Sequence, residues 1–202
     1  MPEALSLGFD TSAAHCAAAL LSGDHLIAHR FEPMEKGQAE RLLPLLEEVL
    51  SEGGAHWRDL DALAVGTGPG NFTGVRIAVA AARGLALSLN IPAIGVTRLE
   101  ALAHGLPRPV TVVEDARRGE VYVQTFAPAG TGPARLEPIA ALPDGALTGS
   151  AAGPDALPPA MPLAEAIARV AAGRTDAPRP APFYLRGADA APPADPPPVI
   201  LP

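Results

Sequence analysis

The chain has 202 residues, 48% of them hydrophobic, enough to bury the core of one large domain or two small lobes. Its 15 basic residues stand against 22 acidic ones, and no cationic cluster exceeds Arg117-Arg118, which excludes a protein that grips a nucleic-acid backbone strongly by itself. Cys16 is alone and forms no internal disulfide, no run of about 18 apolar residues suggests a membrane span, and Met1-Pro2-Glu3-Ala4 lacks the features of a signal peptide; a cytoplasmic chain with no membrane attachment is expected.

Leu5 to Phe9 reads as a first strand, His15 to Leu21 as a second and Leu26 to Phe31 as a third, the last two joined by Ser22-Gly23-Asp24. His25 and His29 have the four-residue spacing of a helical metal pair, but along a strand that spacing spans about 13 Å, too far for one ion, so no metal site is assigned. Gln38 to Leu50 is helical and closes at Gly53-Gly54. In it Leu42, Leu43, Leu45, Leu46, Val49 and Leu50 cover an arc of about 160°, wider than the roughly 100° stripe that packs one face on a sheet. Pro44 frees the carbonyl of Glu40 and bends the helix. Trp57 follows as a hydrophobic plug, and Leu60 to Val65 is the next strand.

The string Gly66-Thr67-Gly68-Pro69-Gly70-Asn71-Phe72-Thr73-Gly74-Val75-Arg76 then separates that strand from a helix, Val75 to Leu89, in which only Arg76 and Arg83 are charged. Four glycines and a proline describe a tight turn whose bare backbone approaches something closely. Asn71 or Thr73 caps the helix. The turn is either a phosphate or carboxylate cradle at a helix start or a steric turn packing strand against helix. It lacks the Gly-Lys-Ser/Thr ending of a P-loop and the spacing of a dinucleotide fingerprint. A helix with so little charge is buried on most sides, and Ala80 and Gly84, one turn apart, permit close approach by a neighbouring helix.

Ala93 to Val96 is a strand and Leu99 to His104 a short helix, giving the order βββαβαβα over residues 1–106. That order matches half of an actin-like or ribonuclease-H-like α/β fold. Residues 107–187 form a reduced second lobe, with strands at Val110 to Val113 and Glu120 to Phe126 around the charged turn Asp115-Ala116-Arg117-Arg118-Gly119, and one helix at Leu163 to Ala172. Six of the last eleven residues are proline, so residues 188–202 read as an extended or disordered tail.

Several stretches together resemble one family. Phe9-Asp10-Thr11-Ser12, Glu40-Arg41-Leu42-Leu43-Pro44, Gly68 to Arg76, Asp115 to Tyr122 and Phe183-Tyr184-Leu185-Arg186 are similar to the TsaB (YeaZ) family of the actin-like ATPase superfamily. The likeness is close from Leu5 to Tyr122 and thin afterwards. It implies a two-lobed actin-like fold with a shortened second lobe. It also implies a non-catalytic subunit that binds and activates a TsaD-type threonylcarbamoyltransferase in making threonylcarbamoyladenosine on tRNA. The two long helices would pair with their counterparts in TsaD, or with a second copy in a homodimer, through Leu42, Leu45, Leu46, Val49, Val75, Arg76, Val79, Ala80, Arg83 and Gly84. A TsaE-like ATPase would join in a larger complex, and the charged turn at Asp115 to Glu120 would contact either the TsaD-type partner or that ATPase, unless it is simply solvated. The superfamily's phosphate loops map to Asp10, Thr11 and Ser12 and to Gly68, Gly70, Asn71 and Thr73. There Asp10 either orients Mg²⁺ or a water, or merely ties down the hairpin turn. As a vestige these loops need no cofactor in the isolated chain, with ATP or ADP left to the assembled complex. Gln38 stands where relatives often carry a histidine. The alternative is a small ATP-dependent phosphotransferase of the same superfamily using Asp10 for Mg²⁺; strong direct tRNA binding is not expected of so acidic a chain.

Overall fold

The computed structural model describes residues 3–174 and 177–187, so the tail at 188–202 lies outside the described residues. Strands β1 (Leu5–Asp10), β2 (His15–Ser22) and β3 (His25–Pro33) make the expected antiparallel meander. After helix α1 (Gln38–Glu52), strand β4 (Ala62–Gly66) pairs parallel to β1. Helix α2 (Phe72–Leu89) then returns the chain to β5 (Ala93–Val96), parallel to β4, and the sheet order is β3-β2-β1-β4-β5.

Alternation along β2 sends its side chains to two different cores. Cys16, Ala18 and Leu20 join Leu7, Phe9, Leu63 and Val65 under α1 and α2, while Ala17, Ala19 and Leu21 face the opposite layer. Leu42, Leu45, Leu46 and Val49 of α1 and Ala78 and Ala82 of α2 complete the first core. Trp57 packs against it as the expected plug, from a short 3₁₀ turn at Trp57–Asp59. Arg41 ties α1 to β3 by pairing with Glu32 at 2.6 Å and Glu48 at 2.7 Å.

Helix α3 (Arg98–Ala103) leads into the second sheet, built on the hairpin β6 (Val110–Asp115) and β7 (Glu120–Ala127). Two short strands, β8 (Gly130–Thr131) and β9 (Arg135–Pro138), pair with β7, and β10 (Leu147–Thr148) lies parallel to β6. Helix α4 (Leu163–Ala172) does not stay with this sheet. It crosses back and lays Ala164, Ile167 and Ala168 on the far face of the first sheet, so residues 163–172 pack with the first lobe rather than only within the expected 107–187 lobe. Gly8 makes this possible: a Cβ there would lie 2.4 Å from the Ala164 carbonyl oxygen.

One expectation about α2 does not hold. Its 18 residues are long and apolar enough, by length and composition, to cross a membrane. Gly74, Val75, Ala78, Val79 and Ala82 are nevertheless buried in the protein's own core.

Candidate functional site

The glycine string folds around the turn Asp10-Thr11-Ser12. A Cβ on Gly66 would come within 1.9 Å of Asp10 Oδ1, one on Gly70 within 2.1 Å of the Ser12 carbonyl oxygen, and one on Gly74 within 2.0 Å of the Thr11 carbonyl oxygen. The Asn71 N–H donates to the Ser12 carbonyl at 2.6 Å, and the Thr11 hydroxyl donates to the Gly74 carbonyl at 2.7 Å. What the bare backbone approaches is therefore the chain's own first turn. Gly68, at φ +89°, turns the strand into the loop in a conformation that favours glycine. The Asn71 side chain caps α2 by accepting from the N–H groups of Thr73 and Gly74, at 3.0 and 3.2 Å. Thr73 itself lies exposed in the first turn of α2.

Asp10, Thr11 and Ser12 are fully buried. Asp10 Oδ2 accepts from the Ser12 N–H at 3.0 Å and the Ser12 hydroxyl at 2.8 Å, and meets His15 Nε2 at 2.7 Å. Burial pushes the Asp10 carboxyl up, but the hydrogen bond and charge of His15, the charge of Arg98 and the hydrogen bond from Ser12 outweigh it and hold the group below its ordinary value. Both hydroxyls are committed to the protein itself and Asn71 satisfies the helix start. These residues consequently do not fit a magnesium–nucleotide cradle; they fit a turn tied down by Asx chemistry. Among the described residues, no three His, Cys, Asp or Glu side chains come together as a metal site would require.

Arg98 is a residue that the sequence reading missed. At the first position of α3 its Nε donates to Glu114 Oε2 at 2.6 Å, its Nη1 lies 3.8 Å from Asp10 Oδ2, and its N–H donates to the Gly68 carbonyl at 2.7 Å. The pattern Thr97-x-x-Glu100 was the available signal, because this capping box, present in the fold, starts the helix at Arg98. A cavity of about 630 Å³ lies beside it, lined by Thr67, Thr97, Arg174 and Phe183 among others. Thr67 and Thr97 bond Val96 and Glu100, and Arg174 bonds Gly95 and Glu100, so these polar groups are already engaged within the chain.

The residues assigned to a partner interface separate into two sets. Leu42, Leu45, Leu46, Val49, Val75 and Val79 are at most 3% exposed, and they cannot meet another protein while the core is intact. The wide apolar arc of α1 fills the space between sheet and α2 instead, which corrects that part of the assignment. Arg76, Ala80, Arg83 and Gly84 do lie on the exposed side of α2. They form one stripe with Phe72 and Leu87, which are 45% and 85% exposed; on α1, Leu43 is likewise exposed, at 46%. Nothing lies within 4 Å of a Cβ built on Gly84.

The C-terminal segment closes one end of this stripe. The Arg76 guanidinium lies 3.6 Å from the Phe72 ring centre, Tyr184 stacks on Phe72 at 5.2 Å, and Arg76 Nε donates to the Tyr184 hydroxyl at 2.9 Å. Arg186 continues to the β6–β7 turn, pairing with Glu120 at 2.6 Å and donating to the Ala116 carbonyl at 2.9 Å. In that turn Arg117 and Arg118 both adopt positive φ, 61° and 56°, and the Arg117 N–H donates to Asp115. Gln38 is buried and donates to the Met34 carbonyl at 3.1 Å, a local tie at the start of α1.

Comparison with known proteins points to one family. The family model for TsaD, tRNA N6-adenosine threonylcarbamoyltransferase, matches residues 32–138. The chain is 41% identical over 121 residues to the tRNA threonylcarbamoyladenosine biosynthesis protein TsaB of Escherichia coli K12, covering 57% of this chain and 52% of that protein. It thus spans about half the length of these curated TsaB relatives. An uncharacterized protein of Mycobacterium tuberculosis H37Rv is 35% identical over 200 residues, with 92% and 93% of the two chains covered. The solved structure of YeaZ from Pseudomonas aeruginosa superposes with a TM-score of 0.73 at 27% identity, covering 90% of this chain and all of that one.

Proposed function

Because the chain belongs to the TsaB/YeaZ family of the actin-like superfamily, we propose that it is a non-catalytic subunit that binds and activates a TsaD-type threonylcarbamoyltransferase in forming threonylcarbamoyladenosine on tRNA. The observation that carries this reading is the outer face of α2, a helix with the composition of a buried element and an exposed stripe from Phe72 to Leu87. An exposed stripe of this kind, small at Ala80 and Gly84 and flanked by larger apolar groups, suits the close approach of another helix. Arg76 and Arg83 set its charge, so an acidic rim on the partner's facing helix completes the match.

Alone, the chain covers the same face in a homodimer. In the larger assembly a TsaE-like ATPase joins, and ATP or ADP belongs to that assembly rather than to this chain. A phosphotransferase using Asp10 is disfavoured by the buried carboxylate and by the three glycines packed on its turn.

The test is gel filtration with light scattering of the chain alone and mixed with the TsaD-type protein of the same cell, beside an ATP titration of the isolated chain. A one-to-one complex that replaces a self-dimer, with no heat of ATP binding, is the expected result. Failure to form any complex, together with ATP binding by the chain alone, would overturn the subunit reading.

A further inference from the structure

A chain of charged groups inside the protein crosses from the first sheet to the second. The Ser150 N–H donates to Glu114 Oε1 at 2.7 Å, Arg98 Nε donates to Glu114 Oε2 at 2.6 Å, and Arg98 Nη1 points to Asp10 Oδ2 from 3.8 Å. The last link is not closed, since 3.8 Å exceeds the length of an N–H···O bond. Arg98 Nη1 and Asp10 Oδ1 are also the buried side-chain atoms left without a hydrogen-bond partner among the described residues. Each atom belongs to a charged group that is otherwise bonded, Asp10 to His15 and Ser12 and Arg98 to Glu114, but a buried donor and acceptor left unmade oppose folding, so a shift that joins them is rewarded.

At its first-sheet end the same chain holds the start of α2. The turn that follows Asp10 bonds Gly74 through Thr11 and Asn71 through Ser12, and Arg98 itself bonds Gly68 through its backbone. One turn therefore joins Asp10 to α2, and one guanidinium joins it to β6.

We propose that Arg98 is a positioning residue that couples occupancy of the α2 face to the orientation of the second sheet. Docking on α2 shifts the Asp10-Thr11-Ser12 turn, closes the contact between Arg98 and Asp10, and draws β6 with it through Glu114. The open and closed contacts are the two arrangements that such coupling requires, with the partner binding the closed one more tightly. The inference rests on α2 being the docking face.

Hydrogen exchange of the full chain, free and bound to the TsaD-type protein, tests it alongside a calorimetric titration. In the unaltered chain, binding slows exchange in residues 72–89 and also in residues 110–126. Arg98→Lys keeps the charge but has one nitrogen, so it cannot hold Glu114 and reach Asp10 together. It retains the response at 72–89, loses that at 110–126, and weakens binding by about tenfold. Glu114→Gln, which keeps the shape of the side chain, gives the same pattern and serves if Arg98→Lys fails to fold. A full response at 110–126 with unchanged affinity in either folded variant would overturn the proposal while leaving α2 as the docking face. A complex that leaves 72–89 unprotected in the unaltered chain would overturn both.

Discussion

Gly84→Arg separates the stability of the isolated chain from its capacity to assemble. Gly84 lies in the interior of α2, is exposed, and would meet nothing within 4 Å of an added Cβ, so an arginine extends into solvent without displacing a neighbour. Glycine is about 0.8 kcal/mol worse than arginine in a helix interior, so the free chain gains roughly that amount. For a chain of 202 residues this corresponds to a rise in Tm of about 2–3 °C. The same side chain fills the close-approach point beside Ala80, adds a third cation to Arg76 and Arg83, and lowers affinity for the partner by at least a hundredfold, about 3 kcal/mol. Scanning fluorimetry measures the first effect, and titration calorimetry against the TsaD-type protein measures the second. A lowered Tm would show that Gly84 is packed in solution. A raised Tm with unchanged affinity would show that the partner docks elsewhere, and the assignment of α2 as the docking face would be wrong.

The other glycines behave in the opposite way. Gly74→Ala drives a methyl group against the Thr11 carbonyl, 2.0 Å from the ideal Cβ position, and should cost about 3 kcal/mol or roughly 6–12 °C in Tm by fluorimetry. Acid stability reports on Asp10: because its folded-state pKa is depressed, it contributes stability above its unfolded value, near 3.9, that is lost as pH falls through the folded one. A Tm profile from about pH 6 to 2 should therefore be steeper for the unaltered chain than for a folded Asp10→Asn variant. At alkaline pH, burial pushes the Cys16 thiol up to about 12 from 9.0, so the unfolded chain ionises first and stability falls as pH rises between those values. Cys16→Ala should lose that slope in the same measurement, and an unchanged slope would assign it to other groups.

The first five strands and the two long helices were legible because each carries a short-range signal. The short apolar run of β2, the turn at Gly23 and the cap at Asn71 are all local in sequence. The position of α4 was not, because an apolar helix shows that it covers something but not which sheet. Its site depends on the missing side chain of Gly8, more than 150 residues earlier. Which faces of the two long helices are buried was half legible for a similar reason. The charge-poor composition of α2 is visible in the sequence, yet α1 shows a comparable apolar arc and uses it almost entirely inside. Only packing distinguishes Leu46, buried under the sheet, from Leu43 one turn away on the surface.

The glycine string shows most plainly where reading from sequence stops. A run of bare backbone establishes that something approaches closely, and a capped helix start makes an anion a natural candidate. Here the approaching atoms are the carbonyl oxygens of Thr11 and Ser12 and the carboxylate of Asp10, all supplied by the chain. An acidic group faces the loop as a phosphate would, but it is internal, and the Arg98 guanidinium lies 3.8 Å from it. Both partners of the anion site are thus covalently part of the protein. The loop and the turn are therefore held against each other by the chain's own hydrogen bonds, from Thr11 to Gly74 and from Asn71 to Ser12, with no ligand between them.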